Sequence, residues 1–142
     1  MAYSRRPEHE GRELAKILIV EDNALNIKLF CDLLAAHGHE PQAVTDSRQA
    51  LDAAREFIPD LVITDIQLPH VSGLELIRLI REDDRLKAVP IMAVTAYASV
   101  GDEERIREAG AESYVTKPIS VARFVAEVDS LLARKQPAEA EV

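Results

Sequence analysis

Short apolar runs alternate five times with longer amphipathic stretches along this chain, and that alternation constrains the fold more than any other feature. Lys16-Ile17-Leu18-Ile19-Val20 and Leu61-Val62-Ile63-Thr64 are rich in β-branched residues and nearly unbroken. Such runs suit strands buried on both faces, as in a parallel sheet, rather than the in-out alternation of a half-exposed one. Pro90-Ile91-Met92-Ala93-Val94 and Ser113-Tyr114-Val115-Thr116 supply two more. The remaining run, at 40–44, contains Pro41, which has no N–H for a ladder and so belongs at a sheet edge. Strands alternating with helices predict a doubly wound α/β domain of the flavodoxin-like (βα)5 kind, with strand order 2-1-3-4-5.

The intervening segments carry helix punctuation. Asn23 is placed to cap a first helix over 24–37, which Gly38 ends, and Leu25, Leu29, Phe30, Leu33 and Leu34 form its apolar stripe. Asp46 is placed to cap a second helix over 47–57, and Pro59 stops it. The third helix sets Leu76, Ile77, Leu79 and Ile80 against a polar face of Glu75, Arg78 and Arg81. Over 100–109 the fourth has Ile106 as its one large apolar residue beyond Val100, so it buries little and is expected to be marginally held. Ser120 is placed to cap a fifth helix with Val121, Phe124, Val125, Val128, Leu131 and Leu132 on one face. Residues 1–14 and 135–142 lack apolar periodicity and are expected as flexible tails of a domain spanning 15–134.

Composition narrows the function. In 142 residues there is room for one compact domain. A balance of 17 basic against 25 acidic residues, net −8, disfavours binding to a phosphate backbone, so no nucleic-acid partner is expected. No apolar run approaches the length of a membrane span, and the N-terminal residues do not resemble a secretory signal. One cysteine, Cys31, allows no intrachain disulfide or thiolate cluster and reads as a packing residue. A soluble, cytoplasmic protein is the expectation. The four histidines show no ligand spacing.

Strands that all point the same way collect the residues at their carboxyl ends on one edge of the sheet. Here those residues are Glu21 and Asp22, then Asp65, Thr95 and Lys117. Three crowded carboxylates resist ionisation unless a cation compensates them. Oxygen ligands without His or Cys favour Mg2+, with Mn2+ as a substitute. Lysine and threonine beside such an ion suit the oxygens of a phosphoryl group, with Asp65 as the nucleophile.

On these residues, in this order and spacing, the chain resembles the receiver domains of two-component response regulators over about residues 15–134. The resemblance implies that Glu21, Asp22, Asp65 and the backbone carbonyl of Gln67 hold Mg2+, and that Asp65 takes phosphate from a histidine kinase or phosphotransfer protein. It further implies that Thr95 is the switch hydroxyl, Lys117 the phosphate-binding lysine, Tyr114 the aromatic that turns inward, and Lys117-Pro118 a cis peptide. Phosphorylation would then govern binding of a downstream protein at the fourth helix, fifth strand and fifth helix. Gln67 and Tyr97, each two residues after a key group, are candidates for controlling water access to the acyl phosphate.

Glu21-Asp22-Asn23-Ala24-Leu25-Asn26, Asp65-Ile66-Gln67-Leu68-Pro69 and Lys117-Pro118-Ile119-Ser120-Val121 are similar to the single-domain regulators of cell division within that family. The expectation is therefore a phospho-accepting switch rather than an enzyme, monomeric or weakly dimeric. Service in another phosphorelay, of a hybrid kinase or chemotaxis-like system, and a phosphorylation-independent binding module are the alternatives. A haloacid-dehalogenase-type hydrolase wants an acid where Gln67 stands.

Overall fold

A computed structural model of the chain describes residues 15–96 and 99–140. Five strands, β1 (Lys16–Val20), β2 (Glu40–Val44), β3 (Leu61–Asp65), β4 (Ile91–Thr95) and β5 (Ser113–Thr116), form one parallel sheet in the order β2-β1-β3-β4-β5. The helices are α1 (Ala24–Ala36), α2 (Ala50–Phe57), α3 (Gly73–Glu82), α4 (Val100–Ala109) and α5 (Val121–Ala140). The expected winding and the edge position of the Pro41 strand are both found.

Alternate residues of each central strand enter separate cores. Leu18, Val20, Val62, Ile91 and Ala93 face α2, α3 and α4, where Ala54, Leu76, Ile77, Ile80 and Ile106 complete the packing. Ile17, Ile19, Leu61, Ile63, Met92, Val94 and Val115 face α1 and α5. There the rings of Phe30 and Phe124 stack with centroids 5.0 Å apart. Each large side chain so buried stabilises the fold by about 1.5–3 kcal/mol relative to exposure.

Several local expectations shift. The second helix begins as a 3-10 turn, Ser47–Gln49, because Asp46 accepts from the Arg48 N–H and tightens the entry. On α1 the buried pair is Phe30 and Leu34, while Leu25 is 79% exposed and Leu29 lies at the surface. The stripe read from sequence was wider than the neighbouring α5 can cover. Arg81, assigned to the polar face of α3, instead folds over the far end of the sheet and donates to the carbonyls of Gly110, Lys87 and Val89 and to Glu112. Helix α5 runs through Pro137 to Ala140. Residues 1–14 and Tyr97 lie outside the described residues. Among the described residues no helix is long and apolar enough to cross a membrane.

Candidate functional site

The order of strands reverses beside β1, so β1 and β3 lead to helices on opposite faces and leave a crevice between their ends. Into it β1 delivers Glu21 and Asp22, and β3 delivers Asp65. One oxygen from each carboxylate lies within 4.8 Å of the other two. Glu21 and Asp65 are buried, at 1% and 3% exposure, whereas Asp22 is exposed. The loop is held by its own backbone: the Glu21 N–H donates to the Val44 carbonyl at 3.1 Å, and the Asn23 N–H donates to Glu21 Oε2 at 3.1 Å. Asn23 then caps α1 by accepting from the Asn26 N–H.

Charge at this site is only partly compensated. Lys117 Nζ donates to Asp65 Oδ2 at 2.8 Å. Burial opposes the lysine's charge, but the bond to Asp65 and the charges of Asp65, Glu21 and Asp22 outweigh it and raise its pKa. Glu21 Oε1 is buried and has no hydrogen-bond partner. Burial first, and then the charge of Asp65, raise the Glu21 pKa, with the Asn23 N–H, Lys117 and the Asn26 side chain pulling the other way. A buried carboxylate oxygen without a donor, beside two further carboxylates, fits a hard divalent cation such as Mg2+.

The second half of the site is built on Gln67. Its N–H donates to Asp65 Oδ1 at 3.0 Å. Its side-chain Nε2 donates to Thr95 Oγ1 at 3.1 Å, and its Oε1 accepts from the Ala96 N–H at 3.2 Å. Thr95 is 1% exposed at the end of β4, and its carbonyl accepts from the Lys117 N–H at 2.8 Å. The peptide between Lys117 and Pro118 is cis.

Similarity to known proteins agrees with this arrangement. A family model for the response regulator receiver domain matches residues 17–129. The chain belongs to the response regulator receiver family. A polar-differentiation response regulator, DivK, of Brucella anthropi is 53% identical over 116 residues, covering 82% of this chain and 94% of the relative. The receiver domain of a sensor histidine kinase from Pseudomonas aeruginosa, solved with a magnesium ion coordinated in its active-site cleft, is 32% identical. It superposes with a TM-score of 0.78 over 84% of this chain and 98% of that one. A response regulator structure from Chloroflexus aurantiacus gives a TM-score of 0.81 at 28% identity, covering 85% and 99%. Receivers are signalling switches, and this chain is one of them.

Of the residues singled out from sequence, this receiver brings Glu21, Asp22, Asp65, Gln67, Thr95 and Lys117 together. Tyr114 is engaged elsewhere: its hydroxyl donates to Glu103 Oε1 on α4 at 3.1 Å, and the Arg107 guanidinium lies 5.7 Å from its ring centroid. Burial and then Glu103 raise the phenol's pKa. Two positioning residues were not recognised beforehand. Ser47, 4% exposed, donates to the Pro69 carbonyl and accepts from the Val71 N–H, pinning the loop after β3 to the start of the second helical segment. Gly73 lets α3 begin directly against the Asp65 backbone. Serine before a helix reads as a cap and glycine after a turn reads as a turn former, so neither residue type signals such a contact.

Proposed function

We propose that Asp65 is the phosphoryl acceptor of a histidine-kinase relay, and that Glu21, Asp22, Asp65 and the Gln67 carbonyl hold the Mg2+ on which transfer depends; Mn2+ can substitute. The observation that carries this reading is the partner-less Glu21 Oε1 beside an Asp65 that Lys117 touches. When bound, the cation neutralises charge that builds on the transferring group and on the acids around it.

The residues of the chain do the rest. A carboxylate oxygen of Asp65 attacks the phosphorus of an N-phosphohistidine; the O–P bond forms, the P–N bond breaks, and the imidazole leaves with the electron pair and is protonated. Lys117 already touches Asp65 and is placed to follow the charge onto the phosphoryl oxygens. Thr95 supplies a hydroxyl at the next strand end, and its movement toward the phosphate opens space for Tyr114 to leave Glu103 and turn inward. Helix α4 has a thin apolar face, with Ile106 and Ala109 buried and Val100 74% exposed. That face supports a two-state switch read by a downstream protein on α4, β5 and α5. Slow loss of the acyl phosphate resets it.

The 53% identity to polar-differentiation regulators supports a role in cell-cycle or cell-polarity control, exercised in the cytoplasm as a monomer or weak dimer. Incubation with a 32P-labelled phosphohistidine donor should label wild type only when Mg2+ is present and should leave Asp65→Asn unlabelled. Label persisting on Asp65→Asn overturns the assignment. Undiminished partner binding by that variant would make this a phosphorylation-independent module.

A further inference from the structure

We infer that the Gln67 side chain is a latch that, in the unphosphorylated protein, holds the end of β4 at rest by accepting from the Ala96 N–H and donating to Thr95 Oγ1, so that phosphorylation must displace it. The inference rests on the phosphoryl-acceptor function proposed above and adds a control element to it.

The orientation of the Gln67 amide follows from its partners. An N–H can only be met by an acceptor, so the Ala96 N–H fixes Oε1, and Nε2 is left facing Thr95 Oγ1. β3 and β4 pair with Asp65 opposite Val94, which puts Thr95 and Ala96 immediately beyond the acceptor on the same edge. Phosphoryl oxygens on Asp65 are strong acceptors and recruit every nearby donor. Among the described residues, four stand at this edge: Lys117 Nζ, the Gln67 N–H, the Thr95 hydroxyl and the Ala96 N–H. The first two already touch Asp65, at 2.8 and 3.0 Å. The Ala96 N–H donates to the Gln67 carboxamide and Thr95 Oγ1 accepts from it, so one side chain holds both residues.

Gln67 thus holds both sides of the switch. Its backbone N–H contacts the acceptor carboxylate while its side chain fastens the end of β4 and the residue that leads toward α4. A phosphoryl group that draws Thr95 and Ala96 toward Asp65 replaces the neutral Ala96–Gln67 hydrogen bond with a charge-assisted one and takes a second from the Thr95 hydroxyl, which favours the displacement. Until then the latch biases the loop toward its resting position and lowers the apparent affinity of the site for a phosphoryl group.

Two full-length variants separate hydrogen bonding from bulk. Gln67→Ala removes the carboxamide, and Gln67→Met keeps its approximate length without a donor or strong acceptor. In the unphosphorylated protein, hydrogen exchange of the Ala96 amide should accelerate about fivefold or more in both variants, the equivalent of losing one ordinary hydrogen bond. With Mg2+ and beryllofluoride as the phosphoryl mimic, both should bind about fivefold or more tightly than wild type. Wild-type exchange at Ala96 in Gln67→Met, or beryllofluoride affinity that is unchanged or weaker in the variants, overturns the latch. Failure of wild type itself to bind beryllofluoride overturns the phosphoryl-acceptor function and the latch with it.

Discussion

Gly73 lies against the carbonyl of Asp65: a methyl group on it would stand 2.2 Å from that oxygen and 2.6 Å from the Ile66 Cα. Both atoms are backbone, so neither can swing aside as a side chain would. The same close approach lets the Gly73 N–H donate to the Ile66 carbonyl at 3.0 Å, closing the turn that follows the acceptor. Gly73→Ala should therefore destabilise the protein by about 1–3 kcal/mol through overpacking. A lower urea midpoint with an unchanged slope is the expected result, accompanied by slower phosphotransfer as Asp65 is pushed from Lys117. A midpoint equal to wild type would mean that the approach relaxes at no cost.

Glu21 links stability to pH and to metal. Its folded pKa is raised above the ordinary glutamate value, so the folded state holds its proton to higher pH than the unfolded chain does. Without divalent ions, the stability of wild type relative to Glu21→Gln should fall as pH rises from the ordinary value to the raised one, and level off above it. Near neutral pH, Glu21→Gln should be the more stable of the two without metal and should gain less from added Mg2+. Thermal melts of both proteins with EDTA or Mg2+ across that range test the sign. A relative stability that rises with pH would refute it.

Arg81 is a polar hub away from the site. Its guanidinium donates to the carbonyls of Gly110 at 2.9 Å, Lys87 at 3.0 Å and Val89 at 2.6 Å, and to Glu112 Oε1 at 2.7 Å. Glu112 Oε1 in turn accepts from the Ile91 N–H at the start of β4. Arg81→Met should cost about 2 kcal/mol or more, because it strands several acceptors and one carboxylate together. Arg81→Lys should recover little of the loss, since an ammonium cannot span a planar fork of partners. Chemical denaturation of the two variants decides this, and full recovery by lysine would show that charge alone matters.

Tyr114 and Glu103 hold α4 to the sheet. Tyr114→Phe removes one partly buried hydrogen bond and should lower global stability by about 1 kcal/mol. Faster hydrogen exchange confined to α4 is the more specific expectation, because that helix has few other buried anchors. Uniform acceleration across all five helices would argue that the bond supports the fold as a whole.

The strand order and the gathering of Glu21, Asp22, Asp65, Thr95 and Lys117 at one edge were legible from the chain alone. Parallel strands buried on both faces leave an unbroken apolar signature, and any polar residue that interrupts it must lie at a strand end. Arg81 was misassigned for a related reason. Helical periodicity says which side of a helix a residue occupies, but not that a long side chain can curl around the helix end to reach a carbonyl 29 residues away.

Sequence by itself determined the winding and the membership of the acidic site, because both follow from periodicity and from the direction of the strands. Only the tertiary structure decided how the members are wired. Which oxygen of Asp65 meets Lys117, that Glu21 Oε1 lacks a donor, that Gln67 spans Thr95 and Ala96, and that Gly73 must have no side chain all depend on how the elements pack. Hydrogen bonds act over about 3 Å and steric exclusion over less. No local pattern of residue types encodes distances that small until the strands and helices have packed.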